Sequence, residues 1–281
     1  MGKFMGWNIW GNLAATLFGT GINLLLNVFF GPVVNAARAV AVQVETALAQ
    51  FSSNFLMAVN PQITKLYAQN NLQDMYKLLF RASKFTFILM LVISLPVVVE
   101  TDMILKVWLK MVPDYTAIFL RLLLAIVTID SVARPLMTAA AATGDVKLYQ
   151  SLIGGILLSI VPIAYVVLKL GGSPASVYVV HLVICIIAFL TRLWVIKPMI
   201  KLSIRQYFSS VILRCTLVLA VSLPLCLLVK HLLPEGFLFT LIVCALCVLV
   251  ASATSYMLGL DQGERQFINK KVVEITHKVY S

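Results

Sequence analysis

Arg38, Gln43, Glu45 and Gln50 stand within one stretch, "GPVVNAARAVAVQVETALAQF" (31–51), whose other residues are nearly all apolar. Asp130 and Arg134 interrupt a second greasy stretch in the same way. In such surroundings these residue types offer three kinds of chemistry. A guanidinium binds anions, a carboxylate holds a proton or a cation, and amides and hydroxyls hydrogen-bond sugars or water. A charge facing hydrocarbon is costly, so each of these groups requires a partner or a wet cavity. Motifs of enzymatic chemistry are missing from the sequence. It has no glycine-rich phosphate loop, no HExxH and no nucleophile elbow, and "TAAAATGD" (138–145) lacks the lysine of a nucleotide-binding loop. The expectation is therefore a non-enzyme without a metal or cofactor.

On a helix at 100° per residue the polar groups sort onto faces. Asn8, Asn12, Thr16, Thr20, Asn23 and Asn27 recur at spacings of 4, 4, 4, 3 and 4 and share one stripe, with Gly19 inside it. In the next segment Asn35, Arg38, Gln43, Glu45, Thr46, Gln50, Ser52, Ser53, Asn54 and Asn60 fall on one side of the wheel. The opposite side carries only apolar residues, among them Ala37, Ala41, Val44 and Phe51. Asp130, Ser131, Arg134 and Thr138 repeat the pattern, and the i, i+4 spacing of Asp130 and Arg134 allows them to pair. These faces predict a water-filled cavity lined by the first, second and fourth membrane segments. The competing reading is a sealed, hydrogen-bonded helix interface, which Asn, Ser and Thr alone could support. His181 reads as a helix-contact residue rather than a proton relay. Arg192 and Arg214, near helix ends, read as snorkelling to the surface.

The elements that position these residues follow from composition. The chain has 281 residues, 61% hydrophobic and 12% charged, with a mean hydropathy of +0.98. No soluble core of that length hides so much apolar surface. The apolar runs are continuous and long enough to span a membrane, which predicts an all-α polytopic bundle and not a β-barrel. Eight spans are expected at approximately 6–30, 33–59, 78–99, 115–142, 147–169, 174–196, 209–230 and 237–259, punctuated by Gly31-Pro32, Asn60-Pro61, "TGDVK", "GGSP" and "HLLPEG". Residues 62–77 read as an amphipathic surface segment, and Trp108 and Tyr115 suit a membrane interface. With both termini on one side, that side carries thirteen Lys and Arg against four (Lys106, Lys110, Lys169 and Lys230) on the other. Positive-inside bias then makes both termini cytoplasmic, and 261–281 becomes a short amphipathic tail against the membrane surface.

The net charge of +11 is explained by that bias and does not point to nucleic acid. Cys185, Cys215, Cys226, Cys244 and Cys247 all lie inside apolar runs and read as small packing residues; the lone Cys244-x-x-Cys247 has no second ligand pair. "MGKFMGWNIW" does not resemble a signal peptide, and Trp7 stands where a myristoylation motif needs Ser or Thr.

"NVFFGPVVNAARAVAVQVETALAQFSSNFLMAVNPQITKLYA" (27–68) resembles the bacterial polysaccharide, or O-antigen, flippases. These belong to the multidrug/oligosaccharidyl-lipid/polysaccharide exporter superfamily and are relatives of the MATE transporters. "ETDMILKVWL" (100–109), "PLMTAAAATGDVKLYQ" (135–150) and "LGGSPASVYVV" (170–180) resemble later parts of the same proteins, in the same order. The resemblance implies an oligosaccharide on an undecaprenyl diphosphate carrier as substrate, moved across the inner membrane by alternating access for surface polysaccharide or lipopolysaccharide synthesis. It implies Arg38, then Arg134, as diphosphate contacts. The remaining polar faces (Asn8, Asn12, Thr16, Thr20, Asn23, Asn27, Asn35, Gln43, Glu45, Gln50, Asn54, Asp130, Ser131 and Thr138) would line the cavity. A coupling ion, Na⁺ or H⁺, is left open.

The departures from the family are informative. Such flippases have about twelve to fourteen spans in two six-helix lobes, and the matching blocks resemble the second lobe (1–200) followed by two further helices (201–260) and the tail. The missing first lobe leaves three readings open, an alternative gene start, a split gene with an N-terminal-lobe partner or a degraded remnant; membrane lipids and polysaccharide assembly proteins are the other partners the resemblance implies. Position 39 is Ala where the family favours Gly. A cation-coupled MATE-type drug exporter would bury carboxylates among aromatics, whereas this polar face is rich in amides and carries arginine. A non-transporting scaffold of polysaccharide assembly is the third reading.

Overall fold

Small and apolar residues without β-strand alternation give helices throughout; among the described residues there is no strand. The structure, a computed structural model, describes the backbone of residues 2–266 and 269, and side chains from 13 onward except 15. The helices are α1 (Gly2–Ala68), α2 (Leu72–Val99), α3 (Thr101–Leu109), α4 (Thr116–Ala142), α5 (Lys147–Leu158) and α6 (Ile160–Lys169). They are followed by α7 (Ser176–Met199), α8 (Ile204–Tyr207), α9 (Leu213–Leu232) and α10 (Phe237–Thr254). Short π-helical stretches, Phe208–Ile212 and Ser255–Gly259, precede α9 and follow α10. Seven helical segments are long and apolar enough to cross a membrane. The chain is a multi-pass, all-α membrane bundle.

The first of the seven, Thr16–Ala68, has 53 residues, about 80 Å of helix at 1.5 Å per residue. A hydrocarbon core of roughly 30 Å cannot hold that as one crossing. Gly31 breaks it, with φ 80° and ψ −176°. Arg38 Nη2 donates to the Gly19 carbonyl at 3.1 Å, although residues 19 apart lie about 28 Å apart along an unbroken helix. The arms 2–30 and 32–68 therefore fold back on each other, and the spans expected at 6–30 and 33–59 fall one on each arm. Pro32 disfavours the helical region at residue 31, and the conformation Gly31 adopts is essentially closed to side-chain-bearing residues. A Cβ there would meet nothing within 4 Å, so Gly31→Ala costs backbone strain alone. An unfolding free energy lower by about 1–3 kcal/mol, read from denaturant unfolding in detergent, is the expected outcome.

Pro61 does not end the second arm. The helix runs to Ala68, because Ile63 is fully buried beyond it and anchors the last turn, so losing one backbone hydrogen bond at Pro61 is tolerated. Residues 62–68 thus continue the second arm, with Ile63 buried and Gln62, Thr64, Lys65 and Ala68 exposed, as an amphipathic surface segment requires. Residues 147–169 bend at Ser159 between α5 and α6. The first arm packs on α6 at Gly21 and Val161, where a Cβ on Gly21 would come within 2.5 Å of Val161 Cγ2. The second arm packs on α4, held by Thr138 Oγ1 donating to Asn60 Oδ1 (2.9 Å) and Arg134 Nη1 to Ser53 Oγ (2.9 Å). α9 and α10 pack on α2 and on each other, with Cys226 Sγ at 4.0 Å from the Cys247 carbonyl.

Near the middle of α2, the bundle closes over a buried charge. Lys84 is 1% exposed, and its Nζ donates to Glu264 Oε2 (2.6 Å) and Asp261 Oδ2 (2.8 Å). Glu264 Oε2 also accepts the Asp261 amide at 2.8 Å, so one carboxylate caps the helical turn 262–266 and neutralises the lysine. Arg214 pairs with Asp261 rather than snorkelling. Asp261 and Glu264, at the start of the tail expected on the membrane surface, dock on Lys84; residues 267, 268 and 270–281 lie outside those described.

Candidate functional site

The hairpin at Gly31 brings Gly19 of the first arm and Arg38, Val42 and Glu45 of the second to one cavity of about 410 Å³, closed on the other sides by α4, α5 and α7. α4 supplies Asp130 and Arg134; α7 supplies Tyr178, His181 and Arg192. The geometry is that of a charge cluster inside a membrane bundle. Asp130 Oδ1 accepts from Arg192 Nη1 at 2.6 Å, while its Oδ2 lies 3.8 Å from Arg134 Nε. One carboxylate therefore sits between two guanidiniums, and Arg134 is held further by Ser53. Glu45, half-buried, accepts a long 3.4 Å hydrogen bond from Thr46. Three arginines face two carboxylates, leaving one uncompensated positive charge.

That excess lies with Arg38. Apart from the bond to the Gly19 carbonyl, its guanidinium has an enclosed Nε that no described group bonds. His181 packs edge-on against Phe18, with ring centroids 5.3 Å apart, and its Nδ1 is likewise enclosed and unbonded. Both residues line the cavity, but these two atoms are closed off from it, so it is the rest of each side chain that a ligand or water there would meet.

Of the residues singled out by the wheel, Arg38, Glu45, Asp130 and Arg134 meet at this cavity. The others are elsewhere. Thr16, Thr20, Asn23 and Asn27 on the first arm, and Gln43, Thr46, Gln50 and Asn54 on the second, are uncovered by the chain. They stand beside uncovered Leu17, Leu24, Val28 and Phe51, and Gln50 Nε2 donates to Asn54 Oδ1 at 2.8 Å. Ser131 does not line a cavity either: it is fully buried, donates to the Thr128 carbonyl at 2.6 Å and offers its own carbonyl to Thr86. Thr138 is occupied by Asn60. Asn35 is half-buried with its Oδ1 enclosed. Asn8 and Asn12 fall outside the described side chains.

The polar side of the second arm is thus split. Ala37, Ala41, Ala49 and Ser52 are buried, and these small residues set which face meets α4. The buried sector takes in Arg38 and Glu45 and leaves the glutamines open. The contribution of α7 was not expected. Arg192 is 4% exposed, seven residues before the helix end, and faces Asp130 rather than water. The sequence did carry a signal for it: His181, Cys185, Ala188 and Arg192, at helical spacings of 4, 3 and 4, all line the cavity. No family model, curated protein or solved structure matches the chain.

Proposed function

We propose that the chain is one lobe of a bacterial inner-membrane transporter that flips an oligosaccharide on an undecaprenyl diphosphate carrier, with both termini in the cytoplasm. The observation that carries this reading is a net-positive cavity inside the bundle, lined by Arg38, Arg134 and Arg192 against Glu45 and Asp130, on a hairpin whose two arms also carry uncovered amides. A diphosphate takes paired, charge-assisted hydrogen bonds from a guanidinium. Arg38 has donors to spare, whereas Arg134 is already engaged by Ser53 and Asp130, which ranks Arg38 first.

Size divides the labour. A cavity of about 410 Å³ is at the small end of ligand sites, roughly 300–1,000 Å³, and suits a headgroup but not a chain of sugars. The open face with Thr20, Asn23, Asn27, Gln43, Gln50 and Asn54 is amide-rich and costly against lipid. A partner lobe would enclose it as the wall of a wider, sugar-holding passage. A drug exporter is less well supported, because Asp130 is clamped by two arginines instead of standing free for a cation.

The test is complementation of a flippase-deficient strain. Surface polysaccharide is expected to return when this chain is supplied with a first lobe and to stay absent with either piece alone. No recovery in any arm, with the proteins present in the membrane, overturns the proposal.

A further inference from the structure

A second cavity, of about 600 Å³, lies at the opposite end of α10 from Asp261 and Glu264, where the α2–α3 junction meets the loop between α9 and α10. Its inner wall is electrically settled. Glu100, 6% exposed, accepts from Thr240 Oγ1 at 3.4 Å and lies 3.7 Å from Lys230 Nζ. Lys230 Nζ donates to the Val99 carbonyl at 2.6 Å, and Asp102 pairs with Arg121 at 2.6 Å. Its rim is not settled. Lys106, His231 and Glu235 line the cavity, and no side chain of the three has a hydrogen bond or ion pair among the described residues.

The rim stands at a membrane boundary. α3 is too short to cross a bilayer, at 9 residues, and it is two-sided. Thr101 and Leu105 are buried, while Val107 and Trp108 are uncovered, as is Met111 just beyond the helix. A short helix that turns Trp and aliphatic residues outward next to a lysine lies in the interface, at headgroup level. Leu227, Phe239 and Val243 line the same cavity from α9 and α10, so its polar mouth passes into an apolar wall.

One free cation, one free carboxylate and one imidazole select the ligand. An anion alone would be opposed by Glu235, and a lone cation by Lys106. A molecule that carries an ammonium and a phosphate a few bonds apart satisfies both. We propose that this pocket binds the headgroup of a phospholipid bearing a primary ammonium, a phosphatidylethanolamine. Its phosphate is received by Lys106 and His231, its ammonium by Glu235, and its acyl chain lies along Leu227 and Phe239. The primary ammonium matters because it donates hydrogen bonds to a carboxylate, which the trimethylated nitrogen of phosphatidylcholine cannot do. This site is separate from the Arg38 cavity, and its failure would leave the transport reading untouched.

The test uses the full chain in detergent, titrated with dioleoyl phosphatidylethanolamine, phosphatidylcholine, phosphatidylglycerol or water-soluble phosphoethanolamine, with bound lipid counted by native mass spectrometry. Phosphatidylethanolamine is expected to be retained about tenfold more tightly than the other two lipids. Lys106→Gln and Glu235→Gln should each remove most of that preference. Both are uncovered rim residues, so an unchanged melting temperature confirms folding. Equal retention of phosphatidylglycerol would mean recognition by positive charge alone and overturn the proposal. Equal retention of phosphatidylcholine would remove the role of Glu235 and overturn it as well. Displacement of the lipid by phosphoethanolamine at equal concentration would make the ligand a free headgroup and not a lipid.

Discussion

Lys84→Met is expected to be among the most destabilising single substitutions in the chain. It leaves Glu264, with a side chain 2% exposed, as a buried carboxylate deprived of its closest partner. Breaking such a pair from one side costs about 3–5 kcal/mol. Arg81, at 3.8 Å from Glu264 Oε1 and half in the open, is too distant and too solvated to replace it. The measurement is the thermal unfolding midpoint of purified protein in detergent. The double variant Lys84→Met with Glu264→Gln should regain much of the loss. It removes both charges and keeps an oxygen to accept the Asp261 amide. If the double variant is no more stable than Lys84→Met, the charge account of this corner is wrong and the loss comes from packing.

The same corner responds to pH through Asp261. Burial pushes its carboxyl up, but the hydrogen bond and charge of Lys84 and the charge of Arg214 outweigh that and hold it below its ordinary value of 3.8. A carboxyl lowered on folding adds stability that is fully present above its unfolded value and disappears as pH falls through the folded one. Docking of residues 261–266 should therefore be insensitive to pH around neutrality and weaken only below about pH 4. Hydrogen exchange of that turn across the acid range reads this directly.

Arg38→Ala should have the largest effect on transport with the least effect on folding. The guanidinium gives up one hydrogen bond to a backbone carbonyl and its interaction with the neighbouring Tyr178 hydroxyl, and breaks no ion pair, so the loss to the fold is small beside the loss of transport. A charge-assisted hydrogen bond to a phosphate is worth about 1.5–3 kcal/mol, which is roughly ten- to a hundredfold in binding. Flipping assayed with the first lobe present should fall by that factor while protein level and melting temperature hold. Arg38→Lys keeps the charge without the paired geometry and should recover only part. Arg192→Leu is the contrasting case. It strips Asp130 of its 2.6 Å partner and should lower stability and transport together. An Arg38→Ala chain that transports normally would remove this residue from the site.

Much of the architecture was readable from residue types. The hydrophobic runs located the crossings, and Gly31-Pro32 marked the reversal that sets Arg38 beside Gly19. The i, i+4 relation of Asp130 and Arg134 was also legible, because both are on one helix. Asp130 binds Arg192 more closely than Arg134, and that partner comes from α7, 62 residues away. No periodicity within a single helix reports which neighbour will face it. Lys84 illustrates the same limit: its spacing suits a surface charge, and only the return of "DQGE" (261–264) turns it into a buried one.

The helices, their order and their polar stripes belong to the sequence, since they depend on local hydropathy and on Gly and Pro acting within a few residues. The rotation of each helix about its axis was decided by the tertiary structure. In a membrane, lipid is as apolar as leucine, so greasy faces are not driven together, and close approach of small residues governs packing instead. On the second arm Ala37, Ala41, Ala49 and Ser52 made that contact. Arg38 and Glu45 were thereby turned into the cavity, and Gln43, Gln50 and Asn54, equally polar, were left outside.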